Sequence, residues 1–344
     1  MPNVINNFSF ENSKPIALLL LIGLWFIVPF IFWLLLLGVF CFSYGGDKNS
    51  LPLLLLLSFS LAFLISSRYV GLLWGGADDM PSYFLAYLNY DDFKWIFHTS
   101  IRYAKHGDFI FGLYSWFIGL ISNHHLFIYY FSTVFITLML TLLFLKHTRA
   151  PQLLLCFIFV VVFFKYFQFQ WHLIRSCMAV PVLLLGLYYS GSHRKKGVLI
   201  FLFGGLIHFS TFALALPLLF LGNNLNKNWG VKGLVAAVLI LISIIITLVI
   251  SAKILSSFSD LYIVSKIVTR LNIEPSFAMF PFLFFFLLVF IVILPIYLRT
   301  EDKTYLRLFN IYFYFLIVGV IALFVAGNEL YRFIMPLFLL YSPL

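Results

Sequence analysis

The chain has 344 residues, of which 63% are hydrophobic and only 10% are charged, and its mean hydropathy is +1.06. Soluble domains are on average about half apolar and about one quarter charged, so this composition excludes a soluble globular protein and indicates an integral membrane protein. The net charge of +10 comes from short basic clusters between apolar runs. No continuous basic face could follow a phosphate backbone, and we expect no nucleic-acid partner.

Uncharged apolar runs recur along the whole chain, and a membrane-crossing helix needs about 17 to 25 such residues. The runs cover 16–42, 51–67, 126–145, 152–164, 177–190, 198–221, 233–251, 279–298 and 308–326. No series of segments alternates in the manner of a transmembrane barrel. We therefore predict an all-α polytopic membrane protein in which 1–344 is a single membrane domain of about ten or eleven helices.

The long interval over 68–125 is predicted to be an extracytoplasmic loop that carries juxtamembrane helices. Within it, Asp79, Tyr83, Tyr87 and Tyr90 follow each other at spacings of four, four and three residues, which places one carboxylate and three phenols on one helical face. Such a face suits a sugar, because aromatic rings stack on pyranose rings while an acid orients or deprotonates a hydroxyl. Alternatively, Asp78 and Asp79 only cap this helix and the tyrosines form an interfacial belt.

A polar stripe runs through "KYFQFQWHLIRSC", where Lys165, Gln168, His172 and Arg175 are spaced by three, four and three residues. A helix with this stripe is costly in a membrane unless the stripe lines a wet cavity or meets an anionic ligand. Arginine is the better phosphate ligand, since its planar fork binds oxyanions with two hydrogen bonds. Alternatively, the two cations extend along apolar surface to opposite interfaces.

The segment 198–221 raises a question of topology, because basic clusters flank it on both sides. If positive clusters share the cytoplasmic face, this segment enters and leaves the membrane on one side, with a helix break at "FGGLIHFS" and His208 at the tip. The alternative is one ordinary span with His208 as a satisfied core residue. Further along, 252–278 has apolar residues at near-helical spacing and is predicted to be an interfacial helix.

Other charged residues fall on the same inferred extracytoplasmic side, notably Arg68, Arg102 and Arg332. For Arg332, an intrahelical pair with Glu329 is an alternative to a role at a site. A divalent-metal site is a weaker hypothesis, and its ligands would be His98, His106, Asp91, Asp92 and Asp108. The spacing of these residues matches no known ligand signature, and we predict neither a metal nor another cofactor.

Four elements follow one another along the chain: Arg68, "ADDMPSY" after the second apolar run, "LIRSCMA" and "LIHFST". Together they resemble the EpsG-like branch of the Wzy-type O-antigen and capsule polymerases. In that family an Asp-Leu-Pro-Arg-Tyr or Gly-x-Asp-x-x-x-Tyr element precedes an Ile-Arg-Gln-x-x-Ala element and a His-x-Ser element. The matching residues are Asp79, Pro81 and Tyr83, then Arg175 and Ala179, then His208 and Ser210, with Arg332 as a late arginine. Ser82 and Ser176 stand where many relatives have Arg and Gln.

The resemblance implies a membrane glycosyltransferase that moves a growing glycan from undecaprenyl diphosphate to the non-reducing end of a lipid-linked repeat unit. Catalysis would fall to Asp79, His208 and Arg175, and diphosphate binding to Arg68, Arg175, Arg332 and Arg102. The sugar-binding residues would be Tyr83, Tyr87, Asp78, His172 and Gln168.

The same resemblance implies a multi-pass protein of the bacterial inner membrane, with a periplasmic active site and metal-independent chemistry. Its partners would be lipid-linked oligosaccharides as donor and acceptor, membrane lipid, a chain-length regulator and a flippase. The alternatives are a ligase-type glycosyltransferase that uses the same donor, and a transporter or flippase of lipid-linked sugars.

Overall fold

The protein is helical throughout the residues that the computed structural model describes. Those residues are Gly23, 28–43, 51–66, 80–90, 92–104, 108–147, 173–230, scattered positions between 232 and 247, 280–325 and 334–340. No β-strand occurs within these ranges. The predicted all-α class is therefore confirmed for the described part of the chain, while the predicted interfacial helix over 252–278 lies outside it.

The α-helices are numbered in chain order, and two 3₁₀ turns lie among them at Phe93–Trp95 and Gly222–Asn226. The helices are α1 (Pro29–Ser43), α2 (Leu51–Ser66), α3 (Met80–Leu88), α4 (Ile96–Ala104), α5 (Phe109–Gly119), α6 (His125–His147), α7 (Ile174–Ser190), α8 (Arg194–Ile207), α9 (Phe209–Leu221), α10 (Phe280–Arg299), α11 (Lys303–Val325) and α12 (Leu337–Leu340).

Three of the described helices are long and apolar enough to cross a membrane, at Leu126–Phe144, Phe280–Arg299 and Lys303–Leu323. They coincide with the apolar runs predicted at 126–145, 279–298 and 308–326. Shorter apolar helices lie at Leu55–Leu64, Phe109–Gly119 and Ile174–Ser190. These features support a membrane protein, whereas the total of ten or eleven spans stays a prediction.

Helices α10 and α11 are both apolar, but they differ in how much of their surface is buried in the bundle. Both are apolar around most of their circumference, yet α10 leaves Phe284, Ile291 and Val292 largely exposed while α11 buries most of its length. A helix that is apolar all round needs an apolar environment on every side. The exposed face of α10 is therefore suited to contact lipid, and α11 is a core helix.

Helix α7 is buried along most of its length and packs antiparallel to α8. Gly186 in α7 faces the backbone of Phe201 in α8, and a Cβ added at Gly186 would lie 2.7 Å from the Phe201 nitrogen. The glycine is needed here because the two helix backbones approach too closely for a side chain between them. This close approach fixes how α8 runs back along α7.

The chain reverses direction at His208, between α8 and α9. His208 has an extended backbone (φ −151°, ψ 103°), so the helix that ends at Ile207 starts afresh at Phe209. α9 then runs beside α11, where the Tyr314 hydroxyl donates to the Leu214 carbonyl at 2.7 Å and the Arg307 guanidinium donates to the Gly222 carbonyl at 2.9 Å. Both ends of the α8–α9 pair therefore lie near the end of α7, as in the hairpin alternative.

The bundle consequently has two distinct ends, separated by about 22 Å along α7 at 1.5 Å per residue. The Arg175 end contains the start of α7 and the tip of the α8–α9 hairpin at His208. The Arg307 end contains the end of α7, the end of α9 and the start of α11, and the basic segment 192–196 lies there. Short helices α3 to α5, which belong to the predicted 68–125 loop, reach the Arg175 end through Tyr83 and Asp108.

Candidate functional site

Arg175 lies in the first turn of α7 with only 8% of its surface exposed. Its Nη1 forms an ion pair with the Asp108 carboxylate, and its Nε donates a hydrogen bond of 2.9 Å to the Tyr83 hydroxyl. The guanidinium carbon also lies 4.8 Å from the centroid of the Tyr83 ring, within cation–π range. A buried arginine needs such partners, because an unpaired charge is strongly disfavoured away from water.

Asp108 connects three helices through one carboxylate. It precedes α5 at the N-cap position, but its side chain makes no capping hydrogen bond to α5. One oxygen instead pairs with Arg175 of α7, and the other accepts the backbone N–H of Phe209, the first residue of α9, at 3.2 Å. A helix N-terminus has unpaired N–H groups and a partial positive charge, so a carboxylate from elsewhere in the chain is well placed there.

His208 is buried, with 4% of its surface exposed, and it acts as the N-cap of α9. Its Nδ1 accepts the backbone N–H of Thr211 at 3.4 Å. From this contact we assign the ring proton of neutral His208 to Nε2, since an accepting nitrogen carries the lone pair. In this arrangement His208 shapes the start of α9, and the Nδ1 lone pair is not directed at a substrate.

Tyr83 and Tyr87 lie one turn apart on α3, and both are 3% exposed. The Tyr83 ring packs edge-on against Phe111 of α5 with centroids 5.7 Å apart, which fixes the phenol beneath Arg175. The Tyr87 hydroxyl donates to the Ser122 carbonyl, between α5 and α6. Helix α3 confirms the helix predicted after Asp79, but it ends at Leu88. Sugar binding by Tyr83 and Tyr87 stays a prediction.

Tyr90 lies beyond the end of α3 and outside any helix, so the prediction that it shares a helical face with Tyr83 and Tyr87 is wrong. Its hydroxyl lies 2.7 Å from the Ser100 hydroxyl. Burial raises the pKa of Tyr90 above its ordinary value, so the phenol is neutral at physiological pH. Its electrostatic neighbours include both Arg175 and Asp108. Tyr90 therefore borders the Arg175 cluster as an uncharged hydroxyl.

The structure places the predicted site residues in three groups. At the Arg175 end, Tyr83 and Asp108 both contact Arg175, and His208 directly precedes Phe209, whose backbone N–H donates to Asp108. Tyr87 is buried one turn beyond Tyr83 on α3. Arg102 is exposed on α4, where its guanidinium lies 5.5 Å from the ring centroid of neighbouring Tyr103, and its described contacts do not join it to the cluster. The remaining predicted residues lie outside the described ranges: Asp78, Asp79, Arg68, Arg332, His172 and Gln168.

Asp108 is the site residue that sequence reasoning did not identify as such. It was considered only as a ligand of a divalent metal with His98, His106, Asp91 and Asp92. Within the described residues no group of three His, Cys, Asp or Glu side chains is close enough to hold a metal ion, and two of those five lie outside these residues. In the sequence, Asp108 is a single carboxylate between a polar loop and an apolar run, and this pattern predicts only a helix cap.

The fold and the site define a helical membrane protein in which a buried arginine, carboxylate and phenol from separate segments meet at one end of a bundle. The model of the EpsG family matches residues 53–343, which include all of this cluster, and the chain belongs to that family. Membership points to a polysaccharide polymerase-like membrane protein. No curated protein and no solved structure matches the chain.

Proposed function

We propose that the protein is a polysaccharide polymerase that transfers a growing glycan from undecaprenyl diphosphate to the non-reducing end of a lipid-linked repeat unit. The observation that carries this proposal is that Tyr83 and Asp108 both contact Arg175 at the end of the bundle where the chain reverses at His208. Three of these residues belong to the sequence elements that resemble O-antigen and capsule polymerases. The EpsG family membership supports the same class of reaction.

Arg175 binds the donor diphosphate in this proposal, together with Arg68 and Arg332 from outside the described ranges. Asp108 and Tyr83 act as positioning residues, because they fix the guanidinium through Nη1 and Nε. A cation held in place before the reaction stabilises charge on the leaving group without reorganising first. The partial positive charge at the start of α9 adds to the same field.

Glycosyl transfer breaks the bond between the sugar anomeric carbon and the diphosphate oxygen, and forms a bond from that carbon to the acceptor hydroxyl oxygen. The hydroxyl proton goes to a base, and the carrier diphosphate leaves with an added negative charge. We assign the base to Asp79 rather than His208, since the Nδ1 lone pair of His208 accepts from Thr211. Tyr87, Asp78, His172 and Gln168 contact the acceptor and donor sugars.

The Arg175 end faces the periplasm of a bacterium in this proposal, and the basic Arg307 end faces the cytoplasm. The orientation follows the excess of lysine and arginine in cytoplasmic segments. The substrates are lipid-linked oligosaccharides, and a flippase and a chain-length regulator are the expected protein partners. Neither a metal ion nor a nucleotide takes part in the transfer.

The test is polymerisation by purified full-length protein given undecaprenyl-diphosphate-linked repeat units without nucleotide or added metal. A ladder of products on a gel supports the polymerase, whereas a single transfer to another acceptor indicates a ligase. Translocation across liposomes without any ladder indicates a transporter and overturns the proposal. Arg175→Lys keeps the charge but loses the planar fork and is expected to reduce the ladder strongly.

The assignment of the base is tested by comparing Asp79→Asn with His208→Asn. We expect Asp79→Asn to lower the rate by about 10² to 10⁴, the usual contribution of a general base. His208→Asn keeps a good N-cap for α9 and should retain most activity. Equal losses in the two variants contradict the assignment to Asp79. Lys195→Gln, an exposed change at the other end of the bundle, is the control for expression and folding.

A further inference from the structure

A second buried arginine, Arg307, lies at the end of the bundle opposite Arg175. It is 4% exposed and is anchored by neutral oxygen atoms. Nη1 donates to the Tyr188 carbonyl at 3.2 Å, and Nη2 donates to the Ser190 hydroxyl at 3.3 Å and to the Gly222 carbonyl at 2.9 Å. Within the part of the chain that the structure describes, Nε has no hydrogen-bond partner. The charge of Arg307 is therefore held in place without a carboxylate among these contacts.

A cavity of about 530 Å³ opens beside Arg307. Its lining includes two further cations, Lys227 and Lys303, and neutral hydrogen-bonding side chains such as Asn223 and Asn226. No carboxylate is among the described lining residues. The cavity thus collects three positive charges from the α9–α10 connection and from α11, which are far apart in the chain.

The acidic residues nearest in sequence do not neutralise this cavity. The Asp302 carboxylate accepts the backbone N–H groups of Thr304 at 2.8 Å and Tyr305 at 3.3 Å, so it caps the start of α11. Glu301 is exposed beside it and does not line the cavity. The cations of the cavity are therefore available to an anion that enters from outside the chain.

Several features of the cavity fit a phosphate group better than a carboxylate. Three cations and several neutral donors surround a volume within the roughly 300 to 1,000 Å³ of small-molecule sites. A phosphate offers more acceptor oxygens than a carboxylate and pairs with both arginine and lysine. Basic pockets between membrane helices also bind the phosphate of anionic lipid head groups.

We propose that the cavity between Lys227, Lys303 and Arg307 binds a phosphate group, supplied by an anionic lipid head group or by a soluble phosphate compound. This site is separate from the Arg175 cluster and does not depend on the proposed polymerase activity. Arg307 is the buried cation of the cavity, and its hydrogen bonds connect the cavity wall to the ends of α7 and α9. The two exposed lysines contact the anion at the cavity entrance.

The experiment uses the full-length protein in phosphatidylcholine nanodiscs and two probes in separate titrations. One probe is short-chain phosphatidylglycerol and the other is inorganic pyrophosphate, each followed by native mass spectrometry and by the shift in Tm. The test variant is Lys227→Gln with Lys303→Gln. The matched control is Arg194→Gln with Lys195→Gln, which removes two exposed charges near the same end but outside the cavity lining.

We expect saturable binding of at least one probe to the wild type and to the control variant. The test variant should bind it about 25-fold more weakly, from about fivefold per lysine. Saturation by phosphatidylglycerol alone identifies a lipid head group as the source, and saturation by pyrophosphate alone identifies a soluble compound. The proposal is overturned if neither probe saturates on the wild type, or if the test and control variants lose affinity equally.

Discussion

Arg175 and Arg307 are both buried, but they lie at opposite ends of α7 and are held by different means: Arg175 belongs to the first turn of α7, and Arg307 of α11 contacts its last turn. Arg175 is paired with the Asp108 carboxylate and the Tyr83 phenol. Arg307 instead donates to two backbone carbonyls and one serine hydroxyl. One arginine is neutralised by an opposite charge, whereas the other is held by neutral acceptors next to two lysines.

A buried guanidinium can therefore connect helices in two ways, through an ion pair or through hydrogen bonds to neutral oxygen atoms. The ion pair at Arg175 connects α3, α5, α7 and the start of α9 through charge, so removing either partner leaves the other uncompensated. The carbonyls that hold Arg307 lie at the C-terminal ends of α7 and α9, where helix dipoles favour a cation. Loss of Arg307 leaves only neutral groups, which water from the adjacent cavity can reach.

The largest effect on stability is expected from breaking the ion pair at the Arg175 end. Asp108→Ala leaves Arg175 buried without its carboxylate and should lower the free energy of unfolding by about 3 to 5 kcal/mol. Arg175→Met should lower it by a similar amount. The measurement is denaturation of the purified variants in detergent, followed by near-UV circular dichroism.

The double variant Asp108→Ala with Arg175→Met is the control for this prediction. It removes both charges, and it should be no less stable than either single variant. If the two single losses simply add in the double variant, then the charges do not interact, and the distinction between the two arginines fails.

A smaller loss is expected at the Arg307 end. Arg307→Met removes the donor for the Tyr188 and Gly222 carbonyls and should lower the free energy of unfolding by about 2 kcal/mol, since water can replace part of the lost bonding. Arg299→Met, an exposed arginine at the end of α10, is the matched control and should change stability by less than about 0.5 kcal/mol. A loss as large as that of Asp108→Ala would contradict the comparison.

A substitution at Gly191 tests whether the position of the Arg307 guanidinium depends on close packing against this glycine. A Cβ added at Gly191 would lie 2.5 Å from the guanidinium carbon of Arg307, although the backbone of Gly191 is ordinary for any residue (φ −81°). Gly191→Ala must therefore displace the guanidinium, and we expect a loss of about 1 to 2 kcal/mol. In an Arg307→Met background the loss should fall by half or more. A loss that is unchanged in that background would show that Gly191 acts independently of Arg307.

The sequence was sufficient for the helical class, the membrane character and the family, because each depends on local pattern. Apolar runs predicted the long helices at 126–145, 279–298 and 308–326, and the glycines before His208 together with the flanking basic clusters favoured the hairpin that α8 and α9 form. The order of the three short motifs carried the resemblance to EpsG-like proteins, and the family match over 53–343 confirms it.

The partners of the site residues could not be predicted from the sequence in the same way. Asp108 and Arg175 are 67 residues apart, and nothing local to "GDF" shows that its carboxylate leaves its own helix to meet α7 and α9. A catalytic role for His208 followed from the resemblance, whereas the structure adds a contact in which the backbone N–H of Thr211 donates to its Nδ1 at 3.4 Å. Contacts of this kind depend on how helices pack, which a single sequence does not record.

The smallest expected effect concerns the phenol beneath Arg175, which contributes through both its hydroxyl and its ring. Tyr83→Phe removes the acceptor for the Arg175 Nε but keeps the ring 4.8 Å from the guanidinium, so we expect a loss of about 1 kcal/mol. Tyr83→Leu removes the ring as well and should lose about 1 kcal/mol more. Both variants are measured by the same denaturation in detergent. If Tyr83→Phe is as unstable as Tyr83→Leu, the hydroxyl alone supports the guanidinium and the ring contact with Arg175 contributes nothing measurable.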